Sequence, residues 1–594
     1  MKLPILNEIP TSREMIEVFG GYNHNLRIGE GEFYDMKNLT SSDYPVLSTR
    51  PQRGVYSSPG GIIGGELALN NPQGMVEKDS LICFDGGKLY INGHRKDIPF
   101  SADTKTVISM GAYIIVMPDK KYVNTADDSD YGDIELTVRS AGNDVSFDLC
   151  KNDGTAYGNI EKLDTAPSDP KDGQMYIDIS KVPHTLRQYS ATNAEWIGIA
   201  TTYVRISFGG AWVWAEGRIN VGDGITISGI ETEGLTDLNG TMVVRGVGKN
   251  YIIVTGIIDE SKTTSDKVVI TRKMPEMDFI IESGNRLWGC KYGLDIHNNF
   301  VNEIYASKLG DFKNWNVFDS ISTDSYVATV GSDGPFTGAI THLGYPIFFK
   351  ENCMHKVYGN LPANYQVQTT PCRGVQKGCS KSLSIVNEVL YYKSRNGVCM
   401  YDGSLPAEIS SALGDVNYSD AVAGTKGNKY YISMKDSNND YHLFVCDTKR
   451  GLWHREDNTH AIEFCNCRGE LYYIDGEKCI KTINPIPDAS FPFEESVDWM
   501  AESGIIGTNM PDKKYISRLD VRMLLAVGTR VYFYIEYDSC GKWEHLFTMT
   551  GTKLQSFAVP IRPRRCDHIR IRIVGDGEAK IFSICKTIEQ GSDI

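Results

Sequence analysis

The chain has 594 residues, 41% of them hydrophobic and 23% charged, which is too long for one hydrophobic core and too balanced for a fibrous or disordered protein. Its formal net charge of −14 excludes wrapping nucleic acid by phosphate neutralisation, which needs a basic stripe, although a negative wall suits a channel through which DNA slides. No run of about 18 apolar residues is present, and Met1 to Pro10 lacks the basic-then-apolar layout of a signal peptide, so a soluble product of a cytoplasm is expected.

The predicted elements run as follows. Residues 1–54 show many turn residues and little apolar periodicity, which predicts an extended arm that orders against other surfaces, or a strand that staples its neighbours shut. Residues 55–125 read as the first blades of a repeat array. Residues 126–275 interrupt the array with their own alternating runs, such as Tyr203 to Phe208 and Tyr251 to Thr255, and predict an inserted β-barrel or sandwich. The array resumes over 276–483. Residues 484–496 form a linker, with Pro485, Pro487 and Pro492 breaking regular structure. Residues 497–594 hold six alternating runs and predict a C-terminal β-sandwich.

The array is written most plainly between Ser380 and Cys479. There a strand, a tight polar turn, an aromatic strand and a further strand recur, with turns at Asn387, Gly427 and Gly469, 40 and 42 residues apart. Matching turns stand at Gly344, Gly284, Gly111 and Gly87. Self-similar all-β units at roughly this spacing signal propeller blades, because one such sheet buries too little alone and leaves two open edges. The fold class is therefore all-β: a β-propeller of seven blades, or of six because Gly87 and Gly111 are only 24 residues apart. The 173 residues between Gly111 and Gly284 locate the insert.

A search for chemistry finds no H-E-x-x-H, G-x-S-x-G or Walker loop, and the 11 His are scattered. No catalytic, cofactor-binding or metal-ligating residue is named, no cofactor is expected, and the chain reads as a non-enzyme. The 14 Cys lie singly in strand-like runs, which suits reduced, buried thiols. Asp447-Thr448-Lys449-Arg450-Gly451-Leu452-Trp453 has the wrong spacing for an Asp-box and reads as a turn whose Trp453 packs between blades. Arg562-Pro563-Arg564-Arg565, with Lys513, Lys514 and Arg518 in the same domain, is the one dense basic run; it reads as a solvated loop or as a contact for phosphate or an acidic partner.

Phe19-Gly20-Gly21-Tyr22-Asn23, Met36-Lys37-Asn38-Leu39 and Pro45-Val46-Leu47-Ser48-Thr49-Arg50-Pro51 resemble the start of bacteriophage virion proteins of the tail-hub or nozzle type. Arg286-Leu287-Trp288, Tyr305-Ala306-Ser307, Asn314-Trp315-Asn316 and Gly397-Val398-Cys399-Met400-Tyr401-Asp402-Gly403 extend the resemblance, which covers the arm, the array and the C-terminal domain but not the insert. It implies a structural virion protein of the tail or neck. Such a subunit would form a homo-oligomeric ring, extend the DNA channel without sequence-specific binding, and anchor portal or adaptor proteins, other tail proteins or fibres. The alternative is a receptor-binding tail protein that grips a host surface glycan through the insert or the sandwich, with Trp212 and Trp214 as candidate stacking residues; a propeller glycosidase is a third reading.

Overall fold

The structure, a computed structural model, describes residues 11–58, 61–62, 69–127, 129–140, 144–208, 219–295, 298–315, 324–485, 492–509 and 513–590. Among them the fold is all-β, with strands joined by turns and four single-turn 3-10 helices. The chain divides into two compact units: residues 1–107, 334–356 and 369–594 in one, 108–333 and 357–368 in the other.

Seven antiparallel meanders follow one another along the chain, over residues 72–96, 106–133, 279–329, 338–371, 384–408, 419–455 and 461–483. Six hold four strands each. The seventh has three of its own and is completed by Gly54–Ser58, which pairs with Ile480–Ile483. Meanders of this kind are the units from which propellers are built. Their second strands, such as Ser80–Asp85, Tyr345–Lys350 and Lys429–Lys435, are buried almost throughout, so both faces are covered. Alternation is lost for that reason, and aromatic and β-branched residues fill both sides.

Six of the seven turns read from the sequence join the first two strands of a meander. Leu343-Gly344, Asn387-Glu388 and Arg468-Gly469 have positive φ at both positions, the geometry that matches strand twist in a two-residue hairpin. Gly87 is the exception. It joins the second and third strands of its meander, and the first turn there is Asp79, with φ +57°. This displacement by one hairpin explains the short interval before Gly111.

The boundary of the insert also moves. Tyr131–Asp133 is the fourth strand of the second meander, so the inserted sheets begin at Leu136 and end at Arg272. One sheet has eight strands and a smaller one, over 161–198, has four; together they enclose a core including Phe147, Leu186, Ile206, Ile225 and Val254.

The segment expected as an extended arm is folded. Thr11–Ile16 pairs with Ala579–Gln590, and Leu47–Thr49 pairs with the same strand. Glu32–Lys37 pairs with Asp498–Ser503 in the opposing sheet. The C-terminal sandwich thus has two six-stranded sheets, each built from both ends of the chain. Within Lys514–Leu525 a bulge at Ser517 brings Ile516 and Leu519 to the same buried face, which lets a twelve-residue strand keep one apolar side.

Candidate functional site

The N-terminal segments that carried part of the sequence resemblance, 19–23, 36–39 and 45–51, converge on one clamp. In it, residues 19–53 lie between the sandwich and Leu452–Arg455, the last strand of the 419–455 meander. Gly21 sits at φ +80°, and a Cβ there would collide with the Trp453 carbonyl oxygen and lie 3.3 Å from the His454 ring. Only glycine meets both demands. The His24 amide donates to the Ala412 carbonyl at 2.8 Å, and Arg455 Nη1 donates to Asp35 Oδ1 at 3.1 Å. Asn38, at φ +54°, donates its amide to the Glu456 carbonyl at 2.7 Å and its side-chain Nδ2 to the Asp498 carbonyl at 2.7 Å, so one residue joins meander and sandwich.

A buried ion network locks the clamp. Arg53 Nη2 donates to Glu456 Oε2 at 2.6 Å, and Arg53 Nη1 lies 2.9 Å from Asp457 Oδ2. Arg50 is paired with Glu494 and donates from Nε to Asn38 Oδ1 at 2.7 Å. Burial pushes the Asp457 carboxyl up, but Arg53, the Thr459 hydrogen bonds and Arg50 outweigh it and hold the group well below the usual carboxylate range. Burial, reinforced by Lys429, drives His454 down to about 3, so it is neutral at pH 7.

The singled-out turn is structural. Asp447 Oδ2 accepts from Ser41 Oγ at 2.7 Å and from Arg450 at 2.8 Å, which ties the clamp to the turn. Trp453 is 2% exposed and its Nε1 donates to the Ile409 carbonyl at 2.8 Å, in the chain that follows the preceding meander. In the basic run, Arg564 is paired with Glu544 at 3.0 Å and lies 4.9 Å from the Tyr537 ring centre. Lys514 is buried and donates to the Asp567 carbonyl, while Arg518 is paired with Asp520. Trp212 and Trp214 lie outside the described residues.

All 14 thiols are free, and only Cys372 and Cys540 escape burial. Burial raises Cys446 and Cys372 to about 12, leaving them protonated and unreactive. One group of metal-capable side chains occurs among the described residues, Asp475, Glu477 and Cys479, but its buried carboxylate is spent: Asp475 Oδ1 accepts the Glu477 and Cys479 amides and Oδ2 is paired with Lys481 at 2.6 Å. Among the described residues no helix is long and apolar enough to cross a membrane.

No family model and no curated protein matches the sequence. Solved structures do. An exo-β-1,3-galactanase from Phanerochaete chrysosporium is 8% identical and aligns over 52% of this chain and 94% of its own, with a TM-score of 0.20. A family 43 glycoside hydrolase engineered to show endo-xylanase and exo-arabinofuranosidase activity is 8% identical over 53% of this chain and 98% of its own, at 0.20. A sialidase mutant from Trypanosoma rangeli is 12% identical over 91% and 94%, at 0.16. The sequence expectation of a non-enzyme is corrected here, since the chain is similar to hydrolases and motif absence is no ground for excluding an activity. At these TM-scores the likeness assigns no activity to this chain.

Proposed function

We propose that the seven meanders stack as the blades of one propeller, and that the chain is a structural subunit of a bacteriophage tail or neck which assembles as a homo-oligomeric ring. The observation that carries the reading is the clamp. Of the segments resembling tail-hub and nozzle proteins, the N-terminal ones, 19–23, 36–39 and 45–51, bind sandwich to meander through Gly21, Asn38 and Arg50. A resemblance confined to solvated loops would have little structural meaning; this one falls on positions whose backbone and buried charges are specified.

Seven blades are favoured by the covered faces of the second strands and by the way Gly54–Ser58 closes the last sheet from the chain's other end. Thr11–Ile16 and Glu32–Lys37 are held in strands paired with the C-terminal part of the chain, which suits a load-bearing part. The acidic balance suits a wall along which DNA moves without sticking.

Mass photometry of the purified chain tests the proposal. A single discrete oligomer is expected. Monomers at every concentration, together with hydrolysis of oligosaccharides, would replace this reading with that of a hydrolase.

A further inference from the structure

We propose that Ser539 and His568, with Asp567 orienting the imidazole, form an acyl-transfer site on the C-terminal sandwich, and that its substrates are short-chain esters of the acetyl type. The site uses one hairpin and one loop of the sandwich and is independent of the ring reading. Ser539 stands in the turn between Arg530–Tyr537 and Glu544–Thr550, and His568 directly precedes Ile569–Asp576.

The hydrogen bonds fix the roles. His568 Nδ1 lies 2.9 Å from Asp567 Oδ2, and His568 Nε2 lies 2.7 Å from Ser539 Oγ. A carboxylate only accepts, so Nδ1 of the neutral ring carries the proton, Nε2 keeps its lone pair, and the serine hydroxyl donates to it. Nucleophile, base and orienting carboxylate in this relation make a serine hydroxyl reactive, whatever their order along a chain. The bond to His568, reinforced by Lys514, holds the Asp567 carboxyl below the usual carboxylate range, so it is ionised when the imidazole is neutral.

The turn carries a residue that its backbone does not favour. Asp538 and Ser539 have φ of +53° and +48°, and the Cys540 amide returns to the Tyr537 carbonyl at 3.2 Å, a two-residue turn whose preferred second residue is glycine. Serine there is strained, as the nucleophile of many serine hydrolases is. Three bonds pin the turn to the histidine loop: Asp538 Oδ1 accepts the Asp567 amide at 2.7 Å and the His568 amide at 3.3 Å, and the Asp538 amide donates to the His568 carbonyl at 3.0 Å. Nucleophile and base are therefore aligned before a substrate arrives. The Ser539 amide has no acceptor among the described residues, which leaves the nucleophile's own N–H for a developing oxyanion, and Lys542, exposed in the same loop, adds a cation.

In the reaction, Ser539 Oγ attacks the ester carbonyl while its proton passes to His568 Nε2, and the imidazolium gives that proton to the departing alcohol. Water, deprotonated by the same nitrogen, then cleaves the acyl-serine to the free acid and restores Ser539. The acyl group is short because Ser539 is exposed and Asp538, Cys540 and Gly541 beside it build no apolar slot for a long chain.

Hydrolysis of para-nitrophenyl acetate and para-nitrophenyl octanoate by the full chain tests this. Turnover of the acetate is expected, with the octanoate slower. Ser539→Gly and His568→Gln should each lower kcat/KM by about a hundredfold or more, whereas Cys540→Ser leaves it unchanged. Asp567→Asn should lower kcat and move the rising limb of the pH–rate profile to lower pH, a shift that a merely structural role would not produce. Ser539→Gly also relieves the strained turn, so its unfolding midpoint should not fall, which separates lost chemistry from lost fold. Absence of turnover, an unchanged rate in Ser539→Gly, a lowered midpoint in that variant, or a fluorophosphonate that labels Cys540 or Lys542 in place of Ser539 would overturn the proposal.

Discussion

Gly21 faces the carbonyl oxygen of Trp453 so closely that no side chain fits between them, and its φ of +80° independently favours glycine. The contact joins the segment paired into the sandwich to the last strand of a meander. Gly21→Ala must therefore both strain its backbone and open the clamp, and a loss of about 2–4 kcal/mol is expected. Denaturant unfolding measures it; an unchanged midpoint would show that the two surfaces are not held together here.

Breaking the buried network should cost more than its surface counterparts. Arg53 and Glu456 have side chains only 6% and 5% exposed, so Arg53→Met leaves the buried Glu456 carboxylate with Arg50, at 3.8 Å, in place of its 2.6 Å partner. A loss of about 3–5 kcal/mol is expected, against less than about 1 kcal/mol for Arg518→Met, whose side chain is 65% exposed. Equal effects of the two variants in the same unfolding assay would contradict the network's role.

Removing residues 1–51 should unfold the sandwich, because the deletion takes strands from both of its sheets. Limited proteolysis is expected to cut within 497–594 while the meanders stay protected. A trimmed protein with a protease-resistant sandwich would mean that the N-terminal strands are dispensable additions.

Acid should destabilise the chain earlier than carboxylate titration alone predicts. Burial holds His454 at about 3 and, with Lys350 nearby, His355 at about 4, against 6.5 for a free imidazole. Below pH 6.5 the unfolded chain binds protons that the folded chain refuses. Stability is therefore full above that pH and falls towards pH 4, by up to about 1.4 kcal/mol per pH unit for each histidine. Asp457, held low, adds its loss only below its ordinary 3.8. His454→Gln should flatten the stability profile between pH 6.5 and 4; an unchanged slope would rule out this source.

How much of this was legible in the sequence depends on whether a signal is local. Two-residue turns such as Asn387-Glu388 announce themselves, because left-handed backbone selects Asn and Gly. C-terminal strands such as Lys514–Leu525 and Arg530–Tyr537 showed as alternation, since one face of each is buried. The partners of residues 11–49 did not show: Thr11–Ile16 meets its partner across more than 560 residues, and nothing in six residues of strand names the distant strand it pairs with. Gly87 misled because the second hairpin of its meander carries the glycine turn that other meanders carry in their first, while its own first turn is Asp79.

If seven stacked sheets and a clamped sandwich form one ring-building subunit, cryo-electron microscopy of the purified chain will show it. Closed rings with a constant number of subunits are expected, each showing seven sheets around one axis with Gly54–Ser58 paired to Ile480–Ile483 in the last. Isolated subunits whose sheets pair into separate sandwiches would contradict it.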